Sequence, residues 1–368
     1  MLEAKTITEP AESAPERRST LLRRLIRDRY AKGRAIVAPT AHDCAVAKIF
    51  ERAGVEHINV AGAASTAVWL GEPECGVVTS TEMVDVARHI LGSVTTPGKV
   101  SIAQGGNALS LVRAFREYER AGAAMIQIED QASGHFGGYI PGKQLVSVEE
   151  MTGKIRAAQY AREDRDVIIA ARCDAKLAIG GGLTAMLKRC EAYVEAGAEV
   201  IMPHGVETMS EWESVGAEMR KLGVPLIASL SAGLIFTPEG QPKREVPNLK
   251  QLEDMGWTLL NYANHLLHVH MTVTKSYIEA LMKPPHDVSD WFKDIMDNGE
   301  RMDILGLPVW RAIEEEFMPS AHTQKRYEKV RAIDNYVYGT MDSARKFVRD
   351  TMARKDIARG SPRTAPKS

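Results

Sequence analysis

No apolar run in this 368-residue chain approaches the ~18 residues of a membrane-spanning helix. There is no excess of either charge: 47 Lys and Arg stand against 48 Asp and Glu, a net charge of −1. That balance removes the electrostatic case for nucleic acid or an anionic membrane as partner. Cysteine is scarce. Cys44, Cys75, Cys173 and Cys190 include no pair at CxxC spacing, which argues against a zinc knuckle. A chain of this length buries a large core without disulfide staples. Cys190 reads as a small buried thiol in a helical pattern, whereas Cys44 and Cys173 lie near strand ends and stay open. The first residues, Met1-Leu2-Glu3-Ala4-Lys5-Thr6, lack a basic-then-apolar leader, so a cytoplasmic protein is expected.

What is present is ordinary globular composition, 44% hydrophobic and 26% charged, which excludes disorder for most of the chain. The length allows two or three domains of ~100–200 residues, or one (β/α)8 barrel of ~250 residues with extensions. Residues 1–16 are polar with Pro10 and Pro15 and read as a flexible segment. From Arg359, the glycine, prolines and Ser/Lys residues of 359–368 read as a disordered tail. Between them, short and nearly continuous apolar runs alternate with helical patterns. The runs are Ala35–Pro39, His57–Ala61, Lys99–Gln104, Met125–Glu129, Val167–Cys173, Val200–Pro203, Pro225–Ser229 and Thr258–Ala263. Runs with little alternation suit parallel strands buried on both faces. Glycine turns such as Arg120-Ala121-Gly122-Ala123 and Glu195-Ala196-Gly197-Ala198 close the intervening helices. This βα rhythm predicts an α/β fold, a (β/α)8 TIM barrel over residues 17–283 that begins with an N-terminal helix. A dinucleotide-binding half is weakly supported, because the first strand runs into Thr40-Ala41-His42-Asp43-Cys44 instead of a G-x-G-x-x-G turn. Residues 284–358 read as a C-terminal helical extension whose aromatics include Trp291, Phe292, Trp310, Phe317 and Tyr336.

In such a barrel the chemistry sits where strands end at their carboxyl side. That rule selects His42 and Asp43, the small residues Gly62-Ala63, Gln104 with Asn107, Glu129-Asp130, Arg172-Cys173-Asp174, His204, Ser229 with Ser231, and Asn264-His265. An anionic substrate held by Arg172 and backbone N–H groups is the natural reading. Bland alternatives remain open: Arg172 and Asp174 as a structural ion network, His204 as a packing histidine. His268 and His270 do not share a helix face and read as structural. The loop Ser133–Gly142, with His135 and Tyr139, is glycine-rich and suits a lid, or equally a plain connection.

At superfamily level the chain resembles the isocitrate lyase/phosphoenolpyruvate mutase proteins over about residues 20–283. The resemblance rests on His42-Asp43, Val60-Ala61-Gly62-Ala63, Leu70-Gly71-Glu72-Pro73-Glu74, Ile128-Glu129-Asp130-Gln131, Pro141-Gly142-Lys143, Ala171-Arg172-Cys173-Asp174-Ala175 and Glu191–Ala198. Tyr262-Ala263-Asn264-His265 and His204 resemble the mutase branch; Glu150–Ala158 resembles the methylisocitrate lyase branch. The resemblance implies a barrel whose eighth helix swaps onto a neighbouring subunit in a homotetramer, and a lyase that breaks a C–C bond of a small 2-oxo or 2-hydroxy carboxylic acid through an enolate. It implies Mg²⁺, with Glu129 and Glu74 at the metal, Arg172 on the substrate carboxylate or enolate, and Gly62 and Ala63 offering N–H groups. His204 and Asn264 would line the pocket, with Asp43, Gln104 and Ser229 added from the strand-end list, and Tyr139, His135 or His204 would move the proton. No nucleotide or organic cofactor is expected.

Two departures bear on this. The family's third strand ends in Asp-x-Asp, the main metal-binding carboxylates, and here no carboxylate occurs from Thr95 to Arg116. Mg²⁺ takes hard, mostly anionic oxygen ligands, so that loss argues against an ordinary metal site. The lyase loop Lys-x-Cys-Gly-His also has no counterpart: Gly137 stands at the cysteine position and Tyr139 at the histidine position. Phosphonate P–C bond chemistry and a non-catalytic carboxylate-binding barrel are the alternatives. Schiff-base chemistry would need a lysine in the barrel mouth, for which Lys176 is the candidate.

Overall fold

The computed structural model describes residues 16–103, 106–132, 137, 142–231, 246–318 and 341–355. They form two compact units, one ending at Glu279 and one beginning at Ala280. The first unit opens with α1 (Arg18–Ala31). Parallel strands then alternate with helices: β1 (Ile36–Pro39), α2 (Cys44–Arg52), β2 (Ile58–Val60), α3 (Gly62–Leu70), α4 (Ser80–Gly92), β3 (Gly98–Ile102) and α5 (Ala108–Arg120). The order continues with β4 (Met125–Glu129), α6 (Val148–Ala161), β5 (Ile168–Cys173), α7 (Leu183–Glu195), β6 (Val200–Pro203), α8 (Met209–Arg220), β7 (Ile227–Ser231), α9 (Leu249–Asp254), β8 (Leu259–Ala263) and α10 (His265–Met282).

Strands β2 to β6 form one parallel sheet, and β1, β8 and β7 another. Single parallel bridges, Thr40 to Asn59 and Ile201 to Leu226, join the sheets at both edges into an eight-stranded ring. The barrel read from the alternation is therefore present. Several of its helices start on side-chain caps: Asp43 Oδ1 accepts from Val46 N at 2.8 Å, and Thr79 and Glu82 form a reciprocal capping box. The expected glycine turns end them, with Gly197 at φ 103° and Gly256 at φ 89°.

The strands alternate between two environments. Val100, Ile126, Ile169, Cys173 and Ile201 point outward into the shell of helices. Ile36, Met125, Ile168, Ala170, Val200, Ile227 and Leu259 point inward and fill the lower barrel, with Leu22 and Ile26 of α1 packed against them from the amino-terminal end. Further up, the inward positions turn polar, which places the cavity at the carboxyl ends of the strands. Cys173, left open on sequence grounds, is one residue out of phase with Arg172 and packs toward Met186 of α7.

The helix α10 differs from the others. None of its 18 residues is buried, and Val269, Met271, Val273 and Ile278 are exposed. Its His270 ring stacks on that of His42, with centroids 5.7 Å apart. The second unit holds α11 (Asn298–Ile304), α12 (Leu307–Phe317) and α13 (Met341–Arg354), with Ala312, Ala344, Val348 and Met352 forming a small core between the last two. The expected terminal segments 1–15 and 359–368 lie outside the described residues.

Leu22 is fully buried, so Leu22→Ala should lower the unfolding free energy by about 2–5 kcal/mol, read from the urea midpoint. His57 yields a pH prediction. Burial pushes its pKa down to about 4, the Pro97 carbonyl opposes that, and the charge of Lys99 adds to it. The folded value lies below the unfolded ~6.5, so this contribution is complete above that pH and is lost as pH falls through the folded value, at most about 3 kcal/mol. Urea unfolding at pH 7 and pH 4.5 should show that loss in the parent chain and a smaller one in His57→Gln.

Candidate active site

The upper barrel holds a small cavity, about 70 Å³ in volume. Its walls bring together Gly62, Ala63, Glu74, Glu129, Arg172, His204, Ser229 and Asn264 from the sequence reading, and add Asn59, Lys99, Ser101, Gln127 and Asn261. Asp43 is not among the lining residues; its carboxylate caps α2 and lies 3.5 Å from His42 Nε2. Gln104, Tyr139 and His135 lie outside the described residues. Asn107 caps α5, accepting from Leu109 N at 3.0 Å and Ser110 N at 3.1 Å. Lys176 does not line the cavity: its Nζ donates to Gly205 O at 2.7 Å and pairs with Glu211 at 3.0 Å.

Asp174 is the hub of the cation network. Its Oδ1 accepts from Arg172 Nη2 at 2.8 Å and Lys143 Nζ at 2.5 Å, and lies 3.2 Å from His204 Nδ1. Burial works against its charge, yet Arg172, His204 and Lys143 hold its carboxyl well below the usual range. Asp130 sits one layer out, accepting from Asp174 N at 2.9 Å and Tyr193 OH at 2.7 Å. Burial and the Asp174 charge push its pKa up. Arg172 also reaches Glu129 Oε1 at 3.5 Å, and β4 and β5 are in register at that pair. Burial opposes the Arg172 charge, but Asp174 and Glu129 more than offset it and raise its pKa. Both readings of Arg172 thus hold geometrically: it belongs to a structural network and it faces the cavity. Burial, with Arg172 adding to it, pushes His204 down to about 4 against the pull of Asp174, so its imidazole is neutral at pH 7.

On the opposite wall, α3 starts at the end of β2, and its N-cap, Ala61, makes no side-chain capping bond. The first N–H groups of α3, at Gly62 and Ala63, are therefore free of a capping side chain and suit an anion. Glu74 packs onto that glycine: a Cβ at Gly62 would lie 2.0 Å from Glu74 Oε1 and would displace the carboxylate. Gly137, at the family's cysteine position, donates its N–H to Glu74 O at 2.7 Å and has no proton to transfer from a side chain. At the end of β8, Asn264 holds a left-handed φ of 61°, sparsely populated for non-glycine residues. Its Oδ1, like those of Asn59 and Asn261, is buried and makes no hydrogen bond among the described residues.

The feature missed from sequence is Lys99. β3 presents Lys99 and Ser101, two apart, to the cavity, and ends at Ile102 instead of reaching Gln104. The signal was available as a charged residue and a serine at alternate positions of an otherwise apolar run. Lys99 Nζ donates to Gln127 Oε1 at 3.0 Å, and Gln127 Nε2 donates to Ser101 Oγ at 3.0 Å and toward Glu129 Oε1 at 3.4 Å. Burial pushes the Lys99 pKa down to about 7; Glu129 opposes that and Arg172 adds to it.

Fold and site together define an α/β-barrel protein whose charged groups converge on a small cavity at the carboxyl ends of the strands. A family model described as phosphoenolpyruvate phosphomutase matches residues 26–282. The 2,3-dimethylmalate lyase of Eubacterium barkeri is 33% identical over 302 residues, covering 79% of this chain and 96% of that protein. The 2-methylisocitrate lyase of Bacillus subtilis is 31% identical over 278 residues, covering 75% and 87%. Among solved structures, a phosphonopyruvate hydrolase in complex with oxalate and Mg²⁺ has a TM-score of 0.68 and 25% identity, covering 82% of this chain and all of that one. The chain belongs to the isocitrate lyase/phosphoenolpyruvate mutase superfamily.

The residues present do not fit the Mg²⁺ held by that hydrolase. Among the described residues no three carboxylate, imidazole or thiol groups gather into a metal-holding cluster. Among the described residues the charged lining groups are Glu74 and Glu129 against Lys99 and Arg172, which leaves no surplus negative charge there for a dication. A +2 ion about 5 Å from an ammonium would meet a repulsion of roughly 7 kcal/mol at an effective dielectric of 20.

Asp174→Asn should leave Arg172, Lys143 and His204 around a neutral amide and cost about 3–5 kcal/mol in urea unfolding. Asp43→Ala, which removes only a helix cap, should cost about 0.5–2 kcal/mol in the same measurement.

Proposed function

We propose that the chain is a carbon–carbon lyase that cleaves a small 2-hydroxy or 2-oxo carboxylic acid through an enolate-like intermediate. The observation that carries this reading is the pairing, across one small cavity, of the Arg172 guanidinium with the uncapped start of α3. Two anion-holding elements line one cavity, and both are in place before any charge develops. In retro-aldol cleavage a base takes the hydroxyl proton, the adjacent C–C bond breaks, and its electron pair becomes the enolate of the departing acid. Arg172 and the Gly62 and Ala63 N–H groups would hold the carboxylate and the developing oxyanion. The unpaired amide oxygens of Asn59, Asn261 and Asn264 would accept from the substrate hydroxyl or from a protonated carboxyl. His204, neutral and directed by Asp174, would position the substrate, and Tyr139 is the proposed proton carrier.

The relatives named for 2,3-dimethylmalate and 2-methylisocitrate cleavage set the substrates to try first, with oxaloacetate and phosphonopyruvate beside them. Turnover of one of the carbon acids above that of phosphonopyruvate supports the lyase; preference for phosphonopyruvate would move the reaction to P–C chemistry, and no turnover of any would favour a binding barrel. On the turned-over substrate, Arg172→Ala should lower kcat/KM at least 100-fold, and Arg172→Lys, which keeps a cation for Asp174, by less. An unchanged rate in Arg172→Ala would sink the assignment.

The same reading includes a homotetramer assembled by α10, in a cytoplasmic protein. No helix among the described residues is long and apolar enough to cross a membrane. An 18-residue helix with no buried side chain and five exposed apolar residues needs a covering surface. Light scattering should give a tetramer mass for the parent chain and a smaller species for Val269→Glu/Val273→Glu, two positions one helical turn apart.

A further inference from the structure

The lysine on β3 has no part in the reading above. Lys99 is 3% exposed, lies in the middle of a barrel strand, and lines the cavity that Arg172 and Glu129 line. Burying an ammonium is costly and persists where the charge is matched or used. Lys99 is only partly matched. Its one hydrogen bond is to the neutral Gln127 amide, and the nearest carboxylate, Glu129, already has Arg172 as a partner. An ammonium carries three donors, so two N–H groups of Lys99 have no acceptor among the described residues. The side chain is also held in place: Gln127 is clamped between Lys99, Ser101 and Glu129, and Asn59 stands beside Lys99 in the β2–β3 register.

An acidic ligand supplies what is lacking. With Glu74 and Glu129 balanced by Lys99 and Arg172, the empty lining is neutral. A dianion placed between Arg172 and Lys99 would be gripped from both sides.

We infer that the Lys99 ammonium is the fixed cation that binds the carboxylate and C2 oxygens of a 2-oxo acid, doing with a side chain what a divalent ion does in the Mg²⁺-bound hydrolase. The cavity is a metal-free 2-oxo-carboxylate site with Lys99 and Arg172 as its paired cations. The inference rests on the 2-oxo-acid reading of the site and adds to it the binding residue and the independence from metal. It also accounts for the vacated acidic positions on this strand: a carboxylate beside Lys99 would neutralise the charge that the ligand needs.

The test is calorimetric titration of the full chain with oxalate at pH 6.5, once with a chelator and once with excess Mg²⁺. Equal affinity under both conditions, within about twofold, is expected. Lys99→Met and Lys99→Gln should each weaken oxalate at least tenfold in chelator while keeping the parent far-ultraviolet circular dichroism; Lys99→Arg should retain more of the affinity than either. Oxalate binding that requires Mg²⁺ in the parent chain overturns the inference and leaves the enolate reading intact, and this arm stands even if a variant fails to fold. Parent-like affinity in folded Lys99→Met also overturns it. Absence of oxalate binding under both conditions overturns the 2-oxo-acid reading itself, and the inference with it.

Discussion

The contact on which the site depends is the fully buried carboxylate of Asp174, shared by Arg172, Lys143 and His204. These groups come from the ends of β5 and β6 and from the segment before α6, so one anion sets the mutual positions of three elements. Removing any partner leaves an uncompensated charge in the barrel, a penalty larger than the net contribution of the intact pair. The arrangement is therefore resistant to drift. Arg172 emerges from it with its orientation settled, its fork turned between Asp174 and Glu129, and its face toward the cavity. Preorganisation of this kind allows a cation to act on a developing enolate without first reorienting.

Above that hub the lining is close to electroneutral. Two carboxylates and two cations face each other in a space sized for a small acid. A barrel of this family that held a dication would need a surplus of negative groups. This one presents an ammonium and a hydroxyl, Lys99 and Ser101, from β3, and has no carboxylate from Thr95 to Arg116. With Lys99 as the proposed ligand-binding cation, the positive charge at the cavity would be covalently held instead of dissociable. Its cost is that the buried ammonium titrates near neutrality, where a metal ion would not.

The barrel handles polarity by layers. Below the cavity, inward residues from six strands and from α1 are aliphatic or methionine and pack into a dry plug. Above it, the same inward positions carry amides, hydroxyls and charges. Alternation along each strand sends the intervening residues outward to the helices, so a shift of one position separates Cys173, buried against α7, from Arg172 at the cavity. α10 breaks the pattern of the enclosing helices, since its apolar side chains find no cover within its own unit.

Much of this was legible in the order of residues. Continuous apolar runs closed by glycine turns determine a parallel α/β barrel, because both strand faces must be buried and glycine alone adopts the left-handed turn without steric cost. The strand-end rule then selects Arg172, Glu129, His204, Ser229 and Asn264 with no other information, and all five line one cavity. The remainder needed the tertiary structure. A rule that looks only at strand ends passes over Lys99, which sits near the start of β3 and reaches the cavity from inside the barrel. Asp43 has the same composition as a ligand group and the same location at a strand end, yet its carboxylate is spent on capping α2. Lys176 lies just beyond the end of β5 and still turns away to Gly205 and Glu211. Proximity along the chain reports which residues reach the rim. The direction of a side chain, and which charges are already paired when it arrives, are set by neighbours distant in sequence, so only the folded barrel decides them.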